Sequence, residues 1–297
     1  MKSKEYYVIQ TCAHIVLFLI AACAIFPIII LYASSFTEQA TVLKTGYSIW
    51  PKRFSLEAYE YLWKQGNQIV RAYGVTALVT VLGTTVNVII TTMLAYPLSR
   101  RYLPGRNVFA FMVFFTMLFN GGLVPTYLMY TKYFHIKNTL FALIVPSLLM
   151  SPWYVFLTRT NLSSMVPDVI VEAATIDGAS EFRIVWSVVL PMGRPIIATV
   201  ALFVGINYWN DWYNGMIYVT KPHLYSIQNL LQRMLVDIQA LSTTAAMAGN
   251  MGDIVASIPG TTVRMAIAAI GILPIIIIFP FVQNNFIKGI AVGAVKG

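Results

Sequence analysis

The chain has 297 residues and a formal net charge of +9, with 58% hydrophobic and only 10% charged residues. A soluble domain carries about 25% charged residues, so this composition excludes an ordinary water-soluble fold. The Lys and Arg residues lie between apolar runs and form no basic stripe interleaved with aromatic residues. The positive charge therefore does not indicate a nucleic-acid partner.

Six apolar runs are long enough to cross a bilayer, for which about 20 residues are needed. They cover residues 12–34, 73–98, 107–130, 138–158, 195–219 and 263–282. The first run is longer than the roughly 7 to 15 apolar residues of a secretory signal, so we expect a retained helix. The sequence therefore predicts an all-α membrane protein with six transmembrane helices.

The runs divide the chain into three parts: a first transmembrane helix and external loop (1–72), a five-helix core (73–282) and a C-terminal tail (283–297). With the N-terminus inside, ten of the 20 Lys and Arg residues fall on each side, so the total does not decide the orientation. Short loops weigh most in the positive-inside rule, and segment 99–107 has three arginines and no acid. We therefore expect this segment and both termini in the cytoplasm.

Segment 159–194, which joins the fourth and fifth runs, contains a pattern typical of a helix start. Ser164 supplies a capping hydroxyl, Pro167 a first-turn proline and Asp168 an acid. All three suit the positive end of a helix. The sequence therefore predicts a helix that begins here, on the cytoplasmic surface.

A turn and a second helix follow in the same segment. Asp177 and Gly178 predict the turn, because glycine adopts positive φ without strain. Ser180 and Glu181 can then start a second short helix, which we expect Pro191 to end. The predicted product is a helix–turn–helix element outside the membrane.

Several polar side chains fall inside the predicted spans, where they are costly unless they face water or the interior of the bundle. At about 1.5 Å per residue, Asn120 and Asn207 lie roughly 18 to 20 Å from the cytoplasmic ends of their runs. Asn87 and Asn120 are equally well explained as interhelical hydrogen-bonding groups. The candidate pathway residues are Asn120, Asn207, Trp209, Asn210, Asp211 and Trp212.

The long segment 220–262 is expected outside the cell. Apolar residues recur in it at helical spacing from Leu224 to Ile238, with polar residues between them. This pattern predicts an amphipathic helix outside the bilayer. Such a helix either caps the bundle at the interface or offers a docking surface to a partner.

The helix–turn–helix segment carries a resemblance to a known family. Its residues Glu172, Ala173, Ala174, Asp177, Gly178, Leu190 and Pro191 resemble the EAA loop of ATP-binding-cassette importer permeases. A bare Glu-Ala-Ala is common on solvated helices, but the full spacing in the last cytoplasmic loop of a six-span chain is specific. The family usually has Ile where Val188 stands here, which is a conservative departure.

Other stretches extend the resemblance over nearly the whole chain. Residues 207–212 (NYWNDW) and the tail 283–297 are similar to the second permease of maltose-type carbohydrate importers. Residues 119–127 (FNGGLVPTY) resemble a branch common in Gram-positive bacteria and associated with complex oligosaccharides. Amides that hydrogen-bond hydroxyls and aromatic rings that stack on sugars fit such a substrate.

The resemblance implies a multi-pass subunit of the bacterial cell membrane with several partners. These are a second, homologous permease, two cytoplasmic ATPase subunits and an extracellular solute-binding protein that delivers an oligosaccharide. In that family the EAA helix seats in a cleft of the ATPase and passes its closure to the spans as a rigid-body motion. The chain has no Gly-x-x-x-x-Gly-Lys-Ser/Thr loop, so we expect no cofactor on it and ATP on the partner.

An ion-coupled secondary transporter is the alternative interpretation. That mechanism usually needs ionisable groups in the spans, and Asp211 is the one serious candidate, while His14 lies near a helix start. A membrane scaffold without transport leaves the spacing of the cytoplasmic loop unexplained. Cys12 and Cys23 have no neighbouring His or second Cys, so we expect neither a metal site nor a catalytic residue.

Overall fold

The structure, a computed structural model, describes residues 4–64, 66–247 and 260–294. These residues are mainly helical, and their β structure is limited to one bridge between Thr37 and Phe54. The α-helices are α1 Lys4–Ser35, α2 Gln39–Thr45, α3 Glu57–Trp63, α4 Gly66–Ser99, α5 Arg106–Leu118, α6 Leu123–Leu128, α7 Phe141–Ile144, α8 Pro152–Met165, α9 Asp168–Ile176, α10 Glu181–Ile184, α11 Leu190–Met192, α12 Arg194–Asn210, α13 Tyr213–Tyr218, α14 Ile227–Met247 and α15 Gly260–Ala294. A π-helical turn, Met129–Tyr133, continues α6, a second one, Val185–Val189, joins α10 to α11, and Pro222–Leu224 forms a 3-10 turn.

Three of these helices are long and apolar enough to cross a membrane unbroken, over Tyr6–Ser35, Gly66–Ser99 and Gly260–Ile277. Two bent pairs also pass as spans. They are Arg106–Leu118 with Leu123–Tyr133, bent by 110°, and Glu181–Met192 with Arg194–Asn210, bent by 83°. Counting each pair once gives up to five spans among the described residues. The all-helical membrane class is confirmed.

The fourth predicted run, 138–158, is not one continuous helix. α7 ends at Ile144, Ser147 has a φ of 61°, and α8 begins only at Pro152. Pro146 and Pro152 lack the N–H group that a continuous helix needs, so the chain turns between them. Irregular backbone at membrane depth is tolerated where it is buried in protein. Pro146 is buried, which meets that condition.

The described residues fall into two compact units. The first takes its residues from 1–67 and 231–274, and the second from 68–230 and 275–297. The predicted division into 1–72, 73–282 and 283–297 is based on the membrane spans and the loops between them, and it stays a prediction. Residues 295–297 of that tail, and 248–259 of the predicted external loop, lie outside the described residues.

The first unit contains a long helix with almost no protein cover. The most apolar stretch of α1 is 0% buried within the chain, so its side chains face lipid or another subunit. Near its end, the Tyr32 hydroxyl donates to the Ala269 carbonyl at 3.2 Å. Gln39 Oε1 accepts hydrogen bonds from the Thr262 N–H at 3.0 Å and the Thr262 hydroxyl at 3.1 Å. These bonds fix the start of α15 against α1 and α2.

The second unit has its core between α4, α8 and α12. Tyr208 is 2% exposed, and its hydroxyl donates to the Ile144 carbonyl at 2.9 Å. Gly83 lets α4 approach closely, because a Cβ there would overlap the Tyr208 ring. Asn87 is buried and donates to the Leu148 carbonyl at 2.7 Å. This contact agrees with the interpretation of Asn87 as an interhelical hydrogen-bonding group.

The predicted amphipathic helix is present as α14. It begins at Ile227, because Leu224 belongs to the preceding 3-10 turn. Leu230, Leu231 and Ile238 on its apolar face are buried. Since the chain's own residues already cover this face, the structure favours a capping helix over a docking surface.

Candidate functional site

The EAA motif lies on α9 and is divided between two sides of that helix. Ala174 is half-buried and packs against the hydrophobic core, next to the buried Val171. Glu172 and Ala173 are exposed. The motif therefore anchors α9 through one side and offers a carboxylate and a small side chain on the other.

The exposed side of the loop is strongly apolar. Val169 and Ile176 lie on α9 at positions i and i+7, so they share the face of Ala173, and they are 73% and 86% exposed. Phe182 on α10 is 78% exposed. Exposed apolar side chains grouped on one element are typical of a protein interface. The loop thus has the composition of a docking surface.

The predicted turn at Gly178 is confirmed and closes α9 with a Schellman motif. Gly178 has a φ of 78°. The Ala179 N–H donates to the Ala174 carbonyl at 3.0 Å, and the Gly178 N–H donates to the Thr175 carbonyl at 3.0 Å. Only glycine adopts this backbone conformation without strain, and the two bonds satisfy carbonyls left free at the helix end. The direction in which α9 ends is therefore fixed by Gly178.

The second helix of the loop does not end at Pro191, as the sequence had predicted. The chain stays helical through the π-helical turn and α11, which contains both Leu190 and Pro191. Leu190 is half-buried there and Pro191 is exposed. A π-helical turn directly before a proline re-satisfies backbone groups that the proline frees. The break comes instead at Gly193, where a Cβ would lie 2.8 Å from the Val189 carbonyl oxygen.

The start of α9 also differs from the prediction. Ser164 belongs to α8, where its hydroxyl donates to the Asn161 carbonyl at 2.9 Å, so it does not cap α9. α9 begins at Asp168, after Pro167. The expected first-turn acid is therefore present, while the expected capping hydroxyl is not. α8 extends further than its apolar pattern indicates, and this places Ser164 inside it.

Arg100 is a residue of this site that the sequence interpretation missed. It is 1% exposed, and its Nη1 donates to Asp168 Oδ1 at 2.8 Å. In the sequence, Arg100 is one of the three arginines of segment 99–107 and indicates only the orientation. A signal was present, because no acidic residue lies between Glu60 and Asp168, so a buried arginine after α4 has few possible partners.

Two of the predicted pathway residues use their side chains to cap backbone. Asn120 lies in the break between α5 and α6 rather than on a helix, and its Oδ1 accepts the Gly122 N–H at 2.8 Å. Asp211 ends α12, and its Oδ1 accepts the N–H groups of Tyr213 at 3.1 Å and Asn214 at 3.2 Å. These contacts explain both residues structurally.

Asn207 and Asn210 lie three residues apart on α12, on the same exposed side. Asn207 Nδ2 donates to the Tyr154 hydroxyl at 3.0 Å. Asn210 Nδ2 donates to the Ile206 carbonyl at 3.0 Å, and its Oδ1 accepts from Gln228 Nε2 at 3.4 Å. Three amide side chains, those of Asn207, Asn210 and Gln228, and the phenol of Tyr154 therefore lie along one side of α12.

The two tryptophans lie elsewhere. Trp209 borders a cavity of about 470 Å³ between α4 and α12, which Thr80 and Thr84 also line. Its indole N–H finds no hydrogen-bond partner in the part of the chain that the structure describes. Trp212 is 43% exposed and packs edge-on against Tyr213, with ring centroids 5.9 Å apart. The structure does not bring the six predicted pathway residues into one group.

Comparison with known proteins identifies the family. The family described as "Binding-protein-dependent transport system inner membrane component" matches residues 82–292, which include α9, the Gly178 turn and α12. The chain belongs to this family. Its members are transport components, so this chain is a membrane permease.

Relatives align with the chain over nearly its whole length. Protein LplC of Bacillus subtilis (strain 168) is 34% identical over 99% of this chain and 97% of its own. The polygalacturonan/rhamnogalacturonan transport system permease protein YtcP of the same strain is 32% identical over 95% of this chain and 96% of its own. A solved bacterial ABC transporter involved in import of the acidic polysaccharide alginate matches with a TM-score of 0.78, at 27% identity over 96% of this chain and 99% of that one.

Family membership confirms the resemblance found in the sequence. This permease is a multi-pass inner-membrane subunit of an ABC importer, and it works with other subunits of that importer and with a substrate-binding protein. The ion-coupled alternative relied on Asp211 as a titrating group. Since Asp211 caps α13, the structure gives that alternative no support.

Proposed function

We propose that this permease imports oligosaccharides. The observation that carries the proposal is the nearly full-length similarity to YtcP, whose name specifies polygalacturonan and rhamnogalacturonan transport. The exposed side of α12 supports it, because Asn207, Asn210 and Tyr154 present amide and hydroxyl groups that can hydrogen-bond a saccharide.

Energy for import comes from a separate ATPase that docks on the exposed side of α9. Val169 and Ile176 supply the apolar contact, and Glu172 supplies a charge beside it. The complex contains two such ATPase subunits, a second homologous permease and an extracellular binding protein. ATP binds to the ATPase subunits, since this chain has no phosphate-binding loop.

The coupling loop, which is segment 159–194, faces the cytoplasm in this proposal. Segment 99–107 and both termini lie on the same side. Reporter domains fused within 99–107 and within 220–262 test the orientation, and the first should be active inside the cell and the second outside. An internal location for 220–262 would contradict both the orientation and the assignment of α9 as the docking helix.

The proposed function is tested with the purified complex. The tagged permease is isolated from its native membrane, its partners are identified, and the complex is reconstituted in vesicles with the binding protein. We expect ATP-dependent uptake of labelled oligogalacturonides or neutral oligosaccharides. Uptake that follows an imposed proton or sodium gradient without ATP would support the secondary-transport alternative instead.

A further inference from the structure

The guanidinium of Arg100 binds the coupling loop at several points. Nη1 donates to Asp168 Oδ1 at 2.8 Å and to the Val166 carbonyl at 3.0 Å. Nη2 donates to the Leu162 carbonyl at 3.4 Å, and Nε donates to the Ser99 hydroxyl at 3.1 Å. A buried charge is costly unless it is paired and hydrogen-bonded, and here it is both.

Three of these acceptors belong to the ends of two other helices. The carbonyls of Leu162 and Val166 lie at the C-terminal end of α8, where the helix dipole is negative. The Leu162 carbonyl also accepts the Val166 N–H at 3.0 Å. Asp168 lies in the first turn of α9, at its positive end. Arg100 follows directly after α4, so one side chain joins the end of α4 to the entry of the coupling loop.

Tyr96 makes a second connection from the same helix. Its ring lies beneath Arg100, with Cζ 5.4 Å from the ring centroid, and its hydroxyl donates to Glu181 Oε2 at 3.1 Å. Glu181 is in the first turn of α10, on the other side of the Gly178 turn. Tyr96 lies in the last turn of α4 and Arg100 directly follows that helix, so neighbouring residues at one end of α4 hold both arms of the loop.

We infer that Arg100 and Tyr96 are positioning residues that transmit the movement of the coupling loop to α4. A single attachment would let the loop rotate about the point of contact, whereas two attachments on separate helices make the loop and the end of α4 move together. The inference rests on the proposed function in one respect, since it takes α9 and α10 as the elements that the ATPase moves.

Two variants test this role. Arg100→Lys keeps the charge, but a lysine has one ammonium group and cannot span a carboxylate and two carbonyls in a fixed fork. Tyr96→Phe keeps the ring beneath Arg100 and removes the hydroxyl, which hydrogen-bonds Glu181 and also interacts with Tyr102. Arg101→Lys and Tyr133→Phe are matched controls, because both side chains are exposed.

The first measurement is the amount of saccharide imported per ATP hydrolysed by the reconstituted complex. We expect this ratio to fall at least about tenfold for both Arg100→Lys and Tyr96→Phe, because each variant loses a hydrogen bond that involves a charged group. Both controls should keep the wild-type ratio. A merely structural role would lower import and hydrolysis together, because fewer complexes assemble, and would leave the ratio unchanged.

The second measurement needs no substrate. The native cysteines are replaced (Cys12→Ser, Cys23→Ser), and spin labels are placed at the exposed positions Ile89 on α4 and Thr175 on α9. We expect the assembled complex to give one narrow distance distribution, which Arg100→Lys and Tyr96→Phe broaden. Broadening in a complex that transports no saccharide would refute the proposed function and support the attachment. Unchanged distances and an unchanged ratio in both variants would overturn the inference.

Discussion

The substitution Gly178→Val distinguishes a loop that docks on the ATPase from an exposed loop that binds no partner. Gly178 has a φ of 78°, and a Cβ placed there meets no heavy atom of the described residues within 4 Å. The substitution therefore causes no steric overlap in this chain. Its whole effect comes from the backbone, because valine opposes positive φ.

The cost can be worked out from this geometry. Holding a residue with a Cβ in the left-handed region costs about 1 to 2 kcal/mol, and a β-branched side chain lies at the upper end. If the turn relaxes instead, the two Schellman hydrogen bonds from Gly178 and Ala179 are lost, at about 0.5 to 1.5 kcal/mol each. Either cost is small beside a total stability of about 5 to 15 kcal/mol. Membrane insertion should therefore be normal, while the end of α9 changes direction.

The assay measures the ATPase that co-purifies with the tagged permease, together with ATP-dependent uptake in vesicles. We expect Gly178→Val to weaken association with the ATPase and to abolish uptake. Gly178→Asn is the matched control, since asparagine tolerates the left-handed conformation, and it should retain most of both activities. Wild-type association and uptake for Gly178→Val would refute the view that α9 must be held in one orientation.

Three further predictions follow from other positions. Glu172→Lys should leave expression and thermal stability unchanged, because Glu172 is exposed, and should reduce the bound ATPase in the same co-purification assay. Gly83→Ala should lower the free energy of unfolding by about 1 to 3 kcal/mol through overlap with the Tyr208 ring, whereas Gly74→Ala on the same helix has open space and should not, as thermal denaturation in detergent would reveal. Asn207→Leu and Asn210→Leu should reduce saccharide uptake while the complex stays assembled, and unchanged uptake in both would assign these amides a structural role.

The coupling loop could be predicted from the sequence because its signals are local. The Gly178 turn depends on the conformational freedom of one residue, and the first-turn position of Asp168 depends on a neighbouring proline. Helix ends set by tertiary packing could not be predicted in this way. Ser164 is part of α8, which packs against neighbouring helices. The helix also continues through Pro191, because a π-helical turn precedes that proline.

Hydropathy located the spans but not the breaks within them. The run 138–158 and the run containing Asn120 both read as continuous apolar segments, yet each is interrupted in the structure. Apolar composition reports the surroundings of a segment, not its backbone path. The contact between Arg100 and Asp168 joins residues 68 positions apart, so it could be identified only from the folded structure.

Site-specific cross-linking between α9 and the ATPase tests the central claim most directly. In the cysteine-free background, Ala173→Cys places a thiol on the exposed side of α9, and Gly74→Cys places one on the exposed surface of α4 as a control. We predict that a bifunctional reagent joins position 173, and not position 74, to the ATPase in the native complex. The yield at position 173 should change when ATP binds. Absence of a cross-link from position 173 in a complex that contains the ATPase and transports saccharide would contradict the account.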